Sequence, residues 1–185
     1  GYEADEVMVE LLDYQGVGII AASVGMSNDL SRRCEAAGIP IVLFNRTQDD
    51  ARLSAVTSDN YQGGRKLADF LVAGGHERIA HIAGWEGAST QRDREAGFLA
   101  GLNGAGKRLS ARGVSDFDFD KAKVVAREMF GGSDRPDAVF CANDHMAFAV
   151  MDVLRFELGL GVPADVAVVG YDDETLSAWP SYDLT

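Results

Sequence analysis

Five side chains in this sequence have the chemistry to hold a small polar molecule. Arg94 stands in the run Thr90-Gln91-Arg92-Asp93-Arg94-Glu95-Ala96-Gly97-Phe98. Its guanidinium is a planar fork of donors, suited to sugar hydroxyls, a carboxylate or a purine edge. Asp172, in Gly170-Tyr171-Asp172-Asp173, can accept from ligand hydroxyls or ring N–H groups. Asn143, beside Asp144, and Asp59, in Thr57-Ser58-Asp59-Asn60, are short polar groups of the same kind. Phe117, close to Phe119, offers an aromatic face on which the apolar side of a sugar, or a base, can stack. Each has a plainer reading. Arg94 can be a solvated helix residue paired with Asp93 or Glu95. Asp172 can cap a turn, Asn143, Asp144 and Asp59 can cap helices, and Phe117 can fill a core.

Chemistry beyond binding finds little support in the residues. No G-x-G-x-x-G follows a strand, no G-x-S-x-G elbow is present, and the paired glycines at 63–64, 74–75 and 131–132 do not resemble a phosphate-cradling loop. His76, His81 and His145 lie in different elements, without the spacing of metal ligands. No catalytic residue, metal or cofactor is therefore expected, and an enzyme is not the reading. The 185-residue chain has 46% hydrophobic residues, enough for a packed core, and 17 basic against 29 acidic side chains, a net charge of −12. Such a balance makes a poor nucleic-acid surface, since phosphate contacts need Lys and Arg. No 18-residue apolar run is available for a membrane helix, and no secretory leader is read at the amino end. Cys34 and Cys141 are far apart and are expected to be reduced thiols of a cytosolic protein.

The groups need elements to position them, and the clearest lie between Asp137 and Asp173. Ala138–Cys141 is a short apolar run, long enough for a buried strand. Asn143 or Asp144 can cap the helix that follows, with Met146, Ala147, Val150, Met151, Leu154 and Leu158 as its apolar stripe. Gly159, Gly161 and Pro163 stop that helix, and Val166–Val169 is the next buried strand. Two uninterrupted apolar strands joined by a helix imply a parallel sheet covered on both faces, with ligands beyond the carboxyl ends of the strands. The same alternation runs through the rest of the chain. Helices are expected over 1–14, 26–37, 58–73, 90–102 and 119–130, and strands over 16–22, 39–44, 55–57, 78–83 and, weakly, 111–114. Residues 84–89 are expected to cross between two halves, and 171–185 to form a loop. Arg94 then stands in the first turn of a helix just after that crossover. Phe148 falls on the polar side of its helix, beside Asp152 and Arg155, which suggests an interface that Trp179 could join.

The runs F-x-A-N-D-x-M-A and V-P-x-D-V-A-V-V-G-Y-D-D resemble the effector-binding core of the lactose/galactose repressor (LacI/GalR) family of bacterial transcription regulators. The resemblance covers essentially the whole chain. It implies an α/β, two-lobed periplasmic-binding-protein-like fold, each lobe a mostly parallel sheet flanked by helices. The lobes are expected at residues 1–84 and 85–185. Measured against the family, the DNA-binding headpiece, the first strand, and the final strand with its return crossover are not in the chain, so a piece of a longer regulator is expected. In this reading Arg94, Asp172, Asn143, Asp59 and Phe117 contact a sugar or similar effector, and Asp59 brings the first lobe to a ligand held by Arg94. Phe148 and Trp179 lie in a homodimer interface. Effector binding would change the affinity for operator DNA, reached through the headpiece. Two rivals are a periplasmic solute-binding protein of a sugar transporter, which shares the architecture, and an enzyme on a doubly wound sheet. Replacing Arg94 with Ala is expected to abolish stabilisation by ligand and to leave the ligand-free melting point nearly unchanged.

Overall fold

A computed structural model describes residues 17–185. The helix expected over 1–14 lies outside the described residues. The chain divides into two compact units, Gly1–Asp59 and Asn60–Thr185.

In the first unit, β1 (Ile19–Ala22), β2 (Ile41–Phe44) and β3 (Ser54–Val56) form a parallel sheet in that order, with Ile19 opposite Ile41 and Val42 opposite Ser54. Helix α1 (Asn28–Ala36) starts where the Ser27 side chain accepts from the Leu30 N–H at 3.1 Å, answering a donor that the first turn leaves orphaned. Its Leu30 and Cys34 pack on Ala21, Ile41 and Leu43. The strand expected over 16–22 is a different kind of strand from the one foreseen. Within β1 only Ala21 is buried and Ile20 is 77% exposed. Its residues alternate between a face against α1 and an exposed face, so an apolar sequence does not make it a strand covered twice.

The second unit carries the chemistry. Helix α2 (Asn60–Ala73) leads to β4 (Ile79–Ala83), α3 (Ser89–Gly104), β5 (Ala111–Val114), α4 (Phe119–Phe130), β6 (Ala138–Cys141), α5 (Asp144–Asp152) with a π-helical turn at Val153–Glu157, and β7 (Ala167–Val169). The sheet order is β5-β4-β6-β7, all parallel. Alternate residues of one strand serve opposite layers. Ala80, Ile82, Val139 and Cys141 pack with Ala122, Ala126 and Phe130 of α4 and Met146, Val150 and Leu154 of the α5 stretch. Ile79, Ala138, Phe140 and Val169 pack with Leu71 of α2 and Phe98 and Leu102 of α3. All of β4 and β6 is buried, as a parallel sheet with helices on both faces requires.

This arrangement moves the expected boundary. Residues 60–84 were assigned to the first lobe, yet β4 is a central strand of the second sheet, and α2 lies directly on α3. A Cβ on Gly64 would stand 1.9 Å from the Arg94 carbonyl oxygen, one on Gly97 1.9 Å from that of Tyr61, and one on Gly101 2.6 Å from the Ala68 Cβ. The two helices meet backbone to backbone along a seam of small residues that carries no hydropathy signal. The segment 84–89, expected to cross between halves, instead joins β4 to α3 inside the second unit.

Phe148 also differs from expectation. It is 2% exposed and its ring lies 4.3 Å from that of Tyr182, centroid to centroid. The carboxyl-terminal segment covers this face of α5, and the Arg155 guanidinium holds it by donating to the carbonyls of Ser181 and Tyr182 at 2.5 and 3.2 Å. Trp179 remains 52% exposed, after a 3-10 turn at Thr175–Ala178. Among the described residues no helix is long and apolar enough to cross a membrane.

Candidate ligand-binding site

The site is built on the carboxyl ends of the second sheet. Arg94 sits in the second turn of α3, one helical turn later than foreseen, and is only 5% exposed. Its Nε donates to Asn60 Oδ1 at 2.9 Å, Nη1 to the Ala142 carbonyl just past β6 at 2.8 Å, and Nη2 to Asp172 Oδ1 at 3.0 Å. The guanidinium carbon lies 3.7 Å from the centre of the Tyr171 ring. That is cation–π distance. The Tyr171 hydroxyl fits over Gly63, where a Cβ would come within 2.0 Å of it. The partners expected of a solvated Arg94 are not its partners: Glu95 bonds Arg112 at 2.6 Å. Three bonds use three of five N–H donors, so the fork is held in one orientation.

Asp172 and Asp173 follow β7 with φ of 109° and 57°. This left-handed conformation is uncommon in residues with a side chain and clusters at functional sites. The Asp172 side chain is 40% exposed and presents its carboxylate at the rim. The loop is fixed from beneath by Asp144, which is buried. Its Oδ2 accepts from the Glu174 N–H and the Ser177 hydroxyl, both at 2.7 Å, and its own N–H donates to the Tyr171 carbonyl at 2.9 Å. Of the sequence readings of Asn143-Asp144, the structure shows the capping one. Asn143 Oδ1 caps α5 by accepting from the Met146 N–H at 3.0 Å. Its Nδ2 has no partner among the described residues, which leaves a donor for another group.

Phe117 follows β5 on the same edge of the sheet. Asp116 and Phe117 have φ of 54° and 60°. The Phe117 ring lies so close over Gly84 that a Cβ there would stand 2.2 Å from it. Asp59 is exposed and belongs to the first unit, just past β3. The structure thus brings Arg94, Asp172, Asn143 and Phe117 to one edge of the second unit's sheet, and does not bring Asp59 into that group.

Sequence reasoning missed Tyr171, Asn60 and a buried polar chain under α3. His81 is fully buried, its ring stacked on Phe140 at 4.7 Å. Burial pushes its pKa down to about 4, so the ring is neutral. Its Nδ1–H donates to the Phe140 carbonyl at 2.9 Å and its Nε2 accepts from the Gln91 amide at 3.1 Å. Gln91 Oε1 in turn accepts from the Gly84 N–H at 2.8 Å. Glu95 lies 3.9 Å from the ring, but a neutral imidazole makes no ion pair with it. Burial also pushes the Cys34 and Cys141 thiols up, so both stay protonated and inert.

A doubly wound sheet with an oriented cation and carboxylate beyond its strand ends defines a periplasmic-binding-protein-like domain. The family model described as "Periplasmic binding protein domain" matches residues 10–183. The chain belongs to that family, in the form carried by LacI-family transcriptional regulators. It is 37% identical over 164 residues to the HTH-type transcriptional regulator CelR of Thermobifida fusca, covering 86% of this chain and 48% of CelR. It is 29% identical to the HTH-type transcriptional repressor PurR of Vibrio vulnificus, over 100% of this chain and 56% of PurR. Among solved structures, a LacI transcriptional regulator from a Rhodococcus species matches with a TM-score of 0.85 at 29% identity, over 96% of this chain and 66% of that one. A CelR–cellobiose complex matches with a TM-score of 0.85 at 34% identity, over 96% and 55%. The chain spans about half the length of the curated relatives it matches. These relatives are named as transcription regulators, which favours that reading over the solute-binding protein of a transporter.

Proposed function

We propose that this domain is the effector sensor of a cytoplasmic LacI-family regulator and that its effector is a carbohydrate. The observation that carries the reading is the clamped guanidinium of Arg94. It is buried, held by α2, by the end of β6 and by Asp172, and still has two N–H donors to give. Asp172 supplies an acceptor, Asn143 Nδ2 a donor and Phe117 an apolar ring face. That mixture suits a hydroxyl-rich ring better than a flat base, which would ask for stacking on both sides. CelR has been solved with cellobiose, and that supports the class. Asp59 is proposed as a further ligand contact from the first unit, on the resemblance alone.

In the full regulator, an effector that binds two states with different affinity shifts their balance, and operator affinity follows. Coupling of this kind is typically about 1–3 kcal/mol. The regulator is proposed to act as a homodimer that reaches DNA through a separate headpiece, with Trp179 at the subunit contact. Phe148 supports that contact from below, through Tyr182.

The test is thermal stability against a panel of sugars, sugar phosphates, nucleosides and small acids. A ligand at 100 times its Kd stabilises by about 2.7 kcal/mol. Neutral sugars should raise the melting point and purines should not. A shift given only by nucleobases or nucleosides would overturn the carbohydrate reading.

A further inference from the structure

The edge of the second sheet is divided by chemistry. Over β6 and β7 it is polar, with Arg94 on the Ala142 carbonyl, Asn143 at the start of α5, and Asp172 past β7. Over β4 and β5 it carries two aromatic rings, beside the exposed carboxylates of Asp116 and Glu86. Phe117 follows β5 and packs on Gly84, the residue after β4. The next residue is Trp85, which is 55% exposed.

Several contacts fix the loop that carries this indole. Gly84 N–H donates to Gln91 Oε1 at 2.8 Å, and Ala88 N–H closes a turn onto the Trp85 carbonyl at 3.0 Å. Arg92 Nη1 donates to the Gly87 carbonyl at 2.8 Å, and Arg112 Nη2 to the Glu86 carboxylate at 2.7 Å. The indole lies over Gly87, where a Cβ would come within 2.3 Å of it. A large apolar ring is thus held half in solvent on a loop with little freedom to bury it. Rigid exposed aromatics of this kind suit recognition, because stacking on them orders little that is not ordered already.

We infer that Trp85 is the stacking platform for a second sugar ring, and that the site selects a disaccharide or longer oligosaccharide over a monosaccharide. This rests on the carbohydrate reading above. Neighbouring strands are about 4.8 Å apart, so the edge from β5 to β7 spans roughly 14 Å. A single six-membered ring covers little more than one such spacing. A monosaccharide bonded to Arg94 and Asp172 leaves the β4–β5 side uncovered, whereas a ligand of two rings covers both halves. The hydroxyl-rich ring falls on the polar half and the apolar face of its neighbour on the aromatic half.

The experiment titrates the intact chain with glucose and galactose, with the disaccharides cellobiose, maltose and lactose, and with one trisaccharide, by calorimetry. The parent, Trp85→Ala and Trp85→Phe are compared. At least one disaccharide should bind the parent more tightly than its component monosaccharide. Trp85→Ala should weaken that disaccharide about ten-fold and change monosaccharide binding less than about two-fold, while Trp85→Phe recovers part of the loss. The chain has two tryptophans, Trp85 and Trp179. Disaccharide should therefore move the emission of the parent and leave that of Trp85→Phe, which reports Trp179 alone, unmoved. If sugars bind but Trp85→Ala weakens both lengths equally or neither, the Trp85 inference is overturned and the carbohydrate reading stands. If no sugar of any length binds, both fall together.

Discussion

Arg94→Met is the substitution that separates a ligand-binding guanidinium from a structural one. It keeps an unbranched apolar stem and removes every donor. The expectation from sequence was that losing this side chain leaves the ligand-free melting point nearly unchanged, and the structure argues otherwise. Two of the three bonds are to buried partners, the Ala142 carbonyl and the Asn60 side chain. A hydrogen bond from a charged donor contributes about 1.5–3 kcal/mol, and the partners left behind are desolvated. The third bond is to Asp172, whose side chain is 40% exposed, so solvent screens it and it is counted as close to nothing. Two bonds at the lower end of that range come to about 3 kcal/mol. At roughly 4 °C per kcal/mol for a domain of this size, the melting point should fall by about 12 °C. Calorimetry without ligand measures that fall, and the same scan with a bound sugar measures what remains of ligand stabilisation, which should be none. A variant melting within about 2 °C of the parent would refute the energetic argument. One that melts low but keeps the full ligand-induced rise would show that Arg94 holds the fold and touches no ligand.

Two further outcomes follow from the interior. Gly97→Ala places a methyl 1.9 Å from the Tyr61 carbonyl, a backbone atom that cannot swing aside. Urea unfolding should show a loss of about 3 kcal/mol or failure to fold, whereas Gly104→Ala, which meets nothing within 4 Å, should be neutral or stabilising. His81 has a pKa of about 4 when folded against about 6.5 when unfolded. Between those values the unfolded chain takes up a proton that the folded one refuses. The contribution is therefore complete above pH 6.5 and is lost as pH falls towards 4, to the extent of about 3 kcal/mol. His81→Gln should flatten the fall in unfolding free energy between pH 7.0 and 4.5 relative to the parent, and an unchanged slope would contradict the neutral buried ring.

Much of the second unit was legible because its signals are local. Strand β6 and helix α4 have the limits expected from periodicity, and β7 and α5 fall within a residue or a turn of theirs. The Asn143 cap was readable too, since it follows from residue type at a strand end. What failed depended on neighbours distant in sequence. Phe148 stands on the polar side of a helical wheel, but a wheel does not show that Tyr182, 34 positions later, folds over it. The place of α2 was missed because glycines dock it. The spacing Gly64-x-x-x-Ala68 against Gly97-x-x-x-Gly101 was present in the sequence and could have been read as a seam. The types of the site residues were legible, whereas their assembly required the sheet order β5-β4-β6-β7, which no local pattern encodes. Tyr171 lay in plain view beside Asp172, but nothing in the sequence says that its ring supports Arg94.

Freezing a long cationic side chain takes up to about 2 kcal/mol of rotamer entropy. For Arg94 that ordering is complete in the free domain, because Asn60, Ala142, Asp172 and Tyr171 already hold it. On the proposed reading, an incoming solute would meet a finished hydrogen-bonding fork instead of a mobile tether. Discrimination then rests on matching fixed directions: a solute whose hydroxyls point slightly wrong finds a side chain that does not bend to accommodate it.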